Sequence, residues 1–218
     1  MSKVMISVRG TAQSQIAPEI AIARVAVQFD GAERIGVMAK TSAAGEATRH
    51  EVEALAASGA VSEWSSDQLA VWSSRPWNDK GKQLNPVHHA SLAFRITFAD
   101  TTELSTWISS ISERDGVRLN GVTWDLTRAT RAEIERDTAA RAVSEAVERA
   151  TAYAQAIGRE TVTPVQIADT GLLGDASVTD FPAPMMARGA SYSGDVEVKL
   201  VPEPILVSAS VEARFEAE

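Results

Sequence analysis

The stretch that decides the fold is ILVSASVEARFE at residues 205–216, close to the carboxyl end of the chain. Apart from Leu206, its apolar side chains recur at every second position, separated by serine, glutamate and arginine. A period of two is typical of a β-strand with one buried and one solvated face. We therefore predict a long terminal strand in an antiparallel sheet, the kind of sheet that often buries a single face.

Three other segments repeat this alternation of apolar and more polar residues, at 21–29, 92–98 and 122–126. Between residues 64 and 98, two strand-like stretches flank the sequence NDKGKQLNP at 78–86. Glycine, asparagine and proline favour the backbone conformations of turns. This region therefore predicts a long hairpin whose tip lies at 78–86.

The strongest helical pattern runs from about Arg131 to Ile157 and is followed by Gly158, a typical helix stop. Thr130 and Glu133 have the spacing of a capping box, in which two side chains bond free backbone amides reciprocally. Spacings of three and four residues indicate a buried stripe. Its predicted members are Ala139, Val143, Ala146, Ala150, Tyr153 and Ile157.

Weaker helical patterns at about 33–57 and 102–112 complete the order of elements. Across 17–128 the order is strand, helix, strand, strand, helix, strand, which matches the βαββαβ pattern of a ferredoxin-like lobe. Residues 1–16 and 129–218 contribute the long helix and the N- and C-terminal strands, which we expect to form a second lobe. The predicted fold is a single α+β domain with antiparallel sheets and two lobes.

Residues 171–204 are rich in glycine, proline and serine and are longer than an ordinary connection. We expect a long mobile loop or interaction arm, mobile above all over 175–194. Val196, Val198 and Leu200 are spaced for a short strand within it.

The composition argues against several classes of partner and site. A formal net charge of −8 opposes binding to nucleic acid or anionic lipid, and the absence of cysteine excludes disulfides and thiolate chemistry. No signal-peptide pattern follows Met1, and no apolar run approaches the roughly 20 residues needed to span a bilayer. For the chain as given, we expect a cytoplasmic location, no membrane insertion and no nucleic-acid partner.

Three motifs in a fixed order carry a family resemblance: VRG at 8–10, ATAYAQAIG at 150–158 and VSASVEARF at 207–215. Together they resemble the SIMPL domain family, whose members are mostly bacterial envelope or secreted proteins. One animal member is named for association with a pelle-like kinase, and some bacterial members assemble as ring-like homo-oligomers. The resemblance implies fold and assembly, and the family has no established catalytic residues to transfer. This chain departs from the family in lacking a visible signal peptide and in having Pro202-Glu203-Pro204 where Pro-Gly is usual.

The residues suggest no catalytic, cofactor or metal site. His88 and His89 are adjacent, so on a strand they would face opposite ways and could not readily share one metal ion. No Gly-x-Ser-x-Gly nucleophile motif occurs, and the carboxylates of 133–148 alternate with arginines as on a solvated helix face. Phe94 and Phe98 alternate in phase with Leu92 and Ile96, so we expect them in the core. Buried there, they could not stack on the bases of RNA.

Five tryptophans are the best candidates for a contact surface. We predict Trp107 and Trp124 in the core. Trp72 and Trp77 have opposite parity on a strand leading to the hairpin tip, so at least one should leave the core. We interpret them as a contact between protomers, since tryptophan is enriched at interfaces. The alternative is a ring that covers local loop atoms.

The leading functional hypothesis is a non-enzymatic, self-associating scaffold or interaction protein, because strand edges must be covered or paired and no convergent polar site is visible. The alternative is a small-molecule binding module or an unrecognised enzyme with a pocket between the lobes. A third hypothesis is an adaptor that binds a protein partner through the arm at 171–204.

Overall fold

A computed structural model describes residues 3–173 and 202–218 of the chain. The predicted strand at Val196–Leu200 and the mobile segment 175–194 lie outside the described residues. The described residues form two compact units, each with its own antiparallel sheet. One unit contains residues 18–125 and 202–203, and the other contains residues 3–17, 126–173 and 204–218.

The helices and strands follow one another in this order: β1 Val4–Ile16, β2 Ile20–Gly31, α1 Arg34–Ser58, β3 Val61–Ser66, β4 Ala70–Ser74, β5 Val87–Phe98, α2 Thr101–Ser112, β6 Val117–Asp125, α3 Arg128–Ala156, β7 Val162–Asp169 and β8 Ile205–Ala217.

The unit of residues 18–125 has the predicted ferredoxin-like topology. Its strands lie in the order β3-β5-β2-β6, and β4 continues the line of β3 along the same edge of β5. In β2 and β5 every second side chain lies in the core, as the alternation in the sequence predicted. The strands and helices together contribute these fully buried core residues: Ala21, Ala23, Val25, Val27, Val52, Ile96 and Leu104. Trp107 is 5% exposed and buried as predicted, while Trp124 is partly buried against this core.

Helix α1 approaches the sheet closely despite two polar residues on its buried face. The hydroxyls of Thr41 and Thr48 donate to the carbonyls of Val37 and Ala44, so neither is left unpaired. At Gly45 a Cβ atom would overlap the side chain of Leu92 on β5. This glycine therefore permits the contact between helix and sheet, and does not interrupt the helix.

The other unit packs α3 on one face of a three-stranded sheet with the order β1-β8-β7. The terminal strand β8 lies at its centre and pairs with β1 from Val4↔Ala217 to Ile16↔Ile205. A Cβ atom at Gly10 would overlap the backbone of Ala142 and Ala146 on α3. Small residues on both elements thus bring the helix backbone directly onto the sheet.

The start and the buried stripe of α3 differ from the prediction. The N-cap is Thr127, not Thr130, and its hydroxyl accepts a hydrogen bond from the Thr130 backbone at 3.2 Å. Tyr153 and Ile157 are each 54% exposed, and were wrongly placed in the stripe. The close approach at Gly10 explains this, because only small side chains fit at the contact. The fully or nearly fully buried residues are Thr138, Ala142, Ala146, Ala150 and Ala154.

Two strands are longer than their apolar patterns. The apolar alternation of the N-terminal strand covers only Val4–Val8, but β1 continues to Ile16, because its polar second half pairs with β8 and bonds to α3. Ser14 and Thr138, for example, form a hydroxyl–hydroxyl hydrogen bond of 2.6 Å. Likewise the sequence near Val165–Ile167 predicts only a short strand, whereas β7 covers Val162–Asp169.

Candidate interaction surface at the β4–β5 hairpin

The register between β4 and β5 brings an aromatic pair together at the end of the two strands nearest the hairpin tip. Trp72 lies directly opposite His89, and their rings stack with centroids 5.2 Å apart and an interplanar angle of 15°. The Ser74 hydroxyl lies 2.8 Å from His89 Nε2 and holds the imidazole in this orientation. Trp72 therefore has a defined position although it is 43% exposed.

A second serine–histidine pair lies on the same two strands, where the Ser73 hydroxyl is 2.7 Å from His88 Nδ1. Sequence reasoning missed both pairs. The signal was the repetition of Ser73-Ser74 and His88-His89 on either side of the tip, which becomes informative only once the register is known. Within residues 3–173 and 202–218, neither ring bonds to a carboxylate, so the third member of a nucleophilic triad is not present there.

The loop at the tip is held in shape by its own hydrogen bonds. The Asn78 side-chain oxygen accepts from the backbone amides of Lys80 at 3.1 Å and Lys82 at 2.9 Å. The Asn78 amide donates to the Lys82 carbonyl, and Leu84 donates to the carbonyl of Pro76. Gly81 has φ of 71°, a left-handed conformation that glycine adopts without strain.

Trp77 lies on this loop and not, as its parity suggested, on the strand of Trp72. It forms an isolated bridge with Gln83 and is 67% exposed, while nearby Leu84 is 45% exposed. We define the hairpin-tip surface as the exposed apolar and basic side chains of this region. Its members are Trp72, Arg75, Trp77, Lys80, Lys82 and Leu84.

One family model matches the chain over residues 6–215, and its description reads SIMPL, protein of unknown function (DUF541). The chain belongs to the SIMPL family. The resemblance of the three sequence motifs is thereby confirmed, and the match includes residues of both units. No curated protein matches this SIMPL chain.

The three-stranded sheet of this SIMPL protein carries a cavity of about 420 Å³ on the face away from α3. Arg9 and Glu212 form an ion pair of 2.9 Å at its wall, and Arg214 bonds to Gln166 at 3.2 Å. The hydrogen bond from Arg9, above all, holds the pKa of Glu212 below its usual value of 4.5. This cavity is open, and apolar groups of Val8, Leu173 and Ala213 line it beside the charged side chains.

Neither unit contains a cluster of three or more histidine, aspartate or glutamate residues that could hold a metal ion, within the part of the chain described. The helices α1, α2 and α3 include none that is long and apolar enough to cross a membrane.

Proposed function

We propose that this protein is a non-enzymatic interaction protein that assembles with copies of itself through the hairpin-tip surface. The observation that carries the proposal is the exposure of two tryptophans, Trp72 and Trp77, on one ordered hairpin. Tryptophan is among the side chains that contribute most to binding at interfaces. A surface that is already ordered also loses less conformational entropy when a partner binds.

Charge supports another copy of the chain as the partner. Between residues 75 and 86 the hairpin carries three basic side chains and one acidic side chain, a net +2, whereas the whole chain carries −8. The remainder therefore carries −10, so the tip of one copy is attracted to the acidic surface of another. Such a contact joins two different surfaces, and repeated contacts of this kind close into rings when the rotation permits.

The serine–histidine pairs support the non-enzymatic part of the proposal. Ser73 and Ser74 lie on an exposed strand, and neither histidine partner bonds to a carboxylate among the described residues. A serine nucleophile ordinarily needs a base that a third group orients.

Light scattering after size-exclusion chromatography tests the assembly. We expect a mass above that of the 23.3 kDa protomer, and a shift towards the protomer mass for Trp77→Gln. Ile35→Gln is the matched control, because Ile35 is also exposed, at 83%, but lies on α1. A protomer mass for the unaltered chain at high micromolar concentration, or an equal loss in both variants, contradicts the proposal.

The second candidate function is binding of a small molecule in the cavity of the three-stranded sheet. Its volume of about 420 Å³ lies within the range of ligand pockets, and Arg9, Glu212 and Arg214 offer polar groups of both signs. A thermal-shift screen with metabolites distinguishes the two functions. A compound that raises the Tm of the unaltered chain but not of Arg9→Ala would favour this second function.

A further inference from the structure

The face of the five-stranded sheet that points away from α1 and α2 carries three exposed arginines close together. Arg24 on β2 lies directly opposite Arg95 on β5. Their strand neighbours Ala23, Val25, Phe94 and Ile96 are buried in the core, so the two arginines point to the opposite face. Arg118 on β6 lies directly opposite Ala26, and Ala26 points to the same face as Arg24. Arg118 therefore lies on this face too.

This arrangement of charge is unfavourable in the isolated chain. Directly opposite residues in an antiparallel pair have Cβ atoms about 4.5–5.5 Å apart, and like charges at that spacing repel. None of the three arginines forms an ion pair with another residue of the described part of the chain. The nearest carboxylate by register is that of Glu63, which lies opposite Thr97 and therefore diagonal to Arg95. Arg114 of the same unit, in contrast, pairs with Glu51 at 2.6 Å.

Small residues lie between the three arginines. Ala26 and Ala93 are directly opposite each other, and Ala26 is only 8% exposed. Gly121 lies opposite Arg24, and a Cβ atom placed on it would meet nothing within 4 Å. The surface between the arginines is therefore low, covered at Ala26 and open beside Gly121.

We propose that Arg24, Arg95 and Arg118 bind a small phosphorylated molecule through a phosphoryl group with two or more negative charges. The planar guanidinium group bonds phosphate oxygens in pairs, and a multivalent anion would neutralise the repulsion between Arg24 and Arg95. Arg95 and Arg118 lie on strands about 10 Å apart across the sheet, and their long side chains can reach a pyrophosphate-sized group held between them. The chain's net charge of −8 repels long polyanions, which favours a small ligand over a nucleic acid.

This inference does not rest on self-association. Arg95 lies six residues along β5 from His89, outside the hairpin-tip surface. Loss of assembly in Trp77→Gln and loss of anion binding in an arginine variant are therefore separate results.

The experiment uses inorganic pyrophosphate as the probe and the full chain at constant ionic strength. We expect pyrophosphate to raise the Tm, and titration calorimetry to give a Kd weakened about tenfold or more in Arg24→Gln and Arg95→Gln. Arg34→Gln is the matched control, because Arg34 is an exposed arginine at the start of α1. It makes the same charge change and should bind as the unaltered chain does.

The stability of the variants without pyrophosphate provides the second measurement. Arg95→Gln should be at least as stable as the unaltered chain, because it removes one member of a repelling pair. The proposal is overturned if pyrophosphate leaves the unaltered Tm unchanged, if Arg34→Gln loses as much affinity, or if Arg95→Gln is itself destabilised. The choice of a small ligand is overturned if a single-stranded oligonucleotide binds more tightly than pyrophosphate when the two affinities are compared per phosphate group.

Discussion

At the scale of single residues, Ala146 shows how closely α3 lies on its sheet. Ala146 is completely buried beside Gly10, whereas Ala140 on the same helix is exposed. We predict that Ala146→Leu lowers the free energy of unfolding by about 1–3 kcal/mol, because the added carbons cannot fit. Ala140→Leu should change it little. Denaturant midpoints of the two variants give the comparison, and equal small shifts would show that this face is not packed as described.

Glu145 should make part of the stability depend on pH. Its carboxylate accepts a hydrogen bond from the Thr11 backbone amide, which is the main reason that its pKa lies below the usual 4.5. The folded state thus favours the charged form. The stabilisation is complete above the unfolded pKa, near 4.5, and is lost as pH falls through the lower folded pKa.

We therefore predict that Glu145→Gln is less stable than the unaltered chain at neutral pH, and that the difference shrinks below about pH 4.5. Urea unfolding at a series of pH values from neutral to acidic measures it. Because other carboxylates are common to both chains, the difference isolates Glu145. A difference that stays constant over the whole series would show that the lost bond does not depend on charge.

At the scale of elements, side chains of α3 cover the free edge of β1 in its second half. Glu145 bonds the outward Thr11 amide, and Arg141 donates to the Gln13 carbonyl at 2.6 Å. On the other edge, β7 has Pro164 and an irregular register between Pro164 and Gln166. Proline and bulges both hinder the addition of another strand. Both edges of the three-stranded sheet thus carry local features that hinder pairing with a further strand.

The start of α3 offers a prediction that separates two capping arrangements. Thr127 accepts from the Thr130 amide, so Thr127→Ala should lower the free energy of unfolding by about 1 kcal/mol. Glu133→Ala should have a much smaller effect, because Glu133 belongs to the capping box only if Thr130 is the N-cap. Thermal unfolding of both variants is the measurement. A larger loss for Glu133→Ala would restore the arrangement first expected from the sequence.

Elements whose burial is periodic could be predicted from the sequence, and contacts between polar elements could not. The alternation in β2, β5 and β8 reports burial directly and was recognised. The second half of β1 is polar because it meets polar residues of α3, so its pattern resembles a loop. The buried stripe of α3 was misplaced because alanine and threonine carry little hydrophobic signal, while Gly10, its partner in the contact, is far away in sequence.

At the scale of the whole molecule, the same limit applies to the sites. Opposite parity on one strand predicted that Trp72 or Trp77 leaves the core, whereas Trp77 lies on the loop and both residues are exposed. The pairing of Arg24 with Arg95 depends on the register between strands that are 71 residues apart by number. The local sequence around either arginine resembles any solvated strand, and only the topology makes them neighbours.

Each of the two units has its own hydrophobic core, and this leads to the last prediction. Within the described part of the chain, the core of the ferredoxin-like unit contains only residues between 21 and 124, and the strands and helices of that unit lie within 18–125. The other core combines residues of β1, α3, β7 and β8, which come from both ends of the chain. A single fragment can therefore contain all of the first core but not of the second.

We predict that a fragment of residues 18–125 folds alone, with a dispersed amide NMR spectrum and one cooperative unfolding transition. A fragment of residues 126–218 should remain unfolded, because it lacks β1, and β8 then loses the neighbour with which it pairs over its full length. Adding a peptide of residues 3–17 should restore some helical circular dichroism to that fragment. An unfolded 18–125 fragment would mean that its core is insufficient without the rest of the chain.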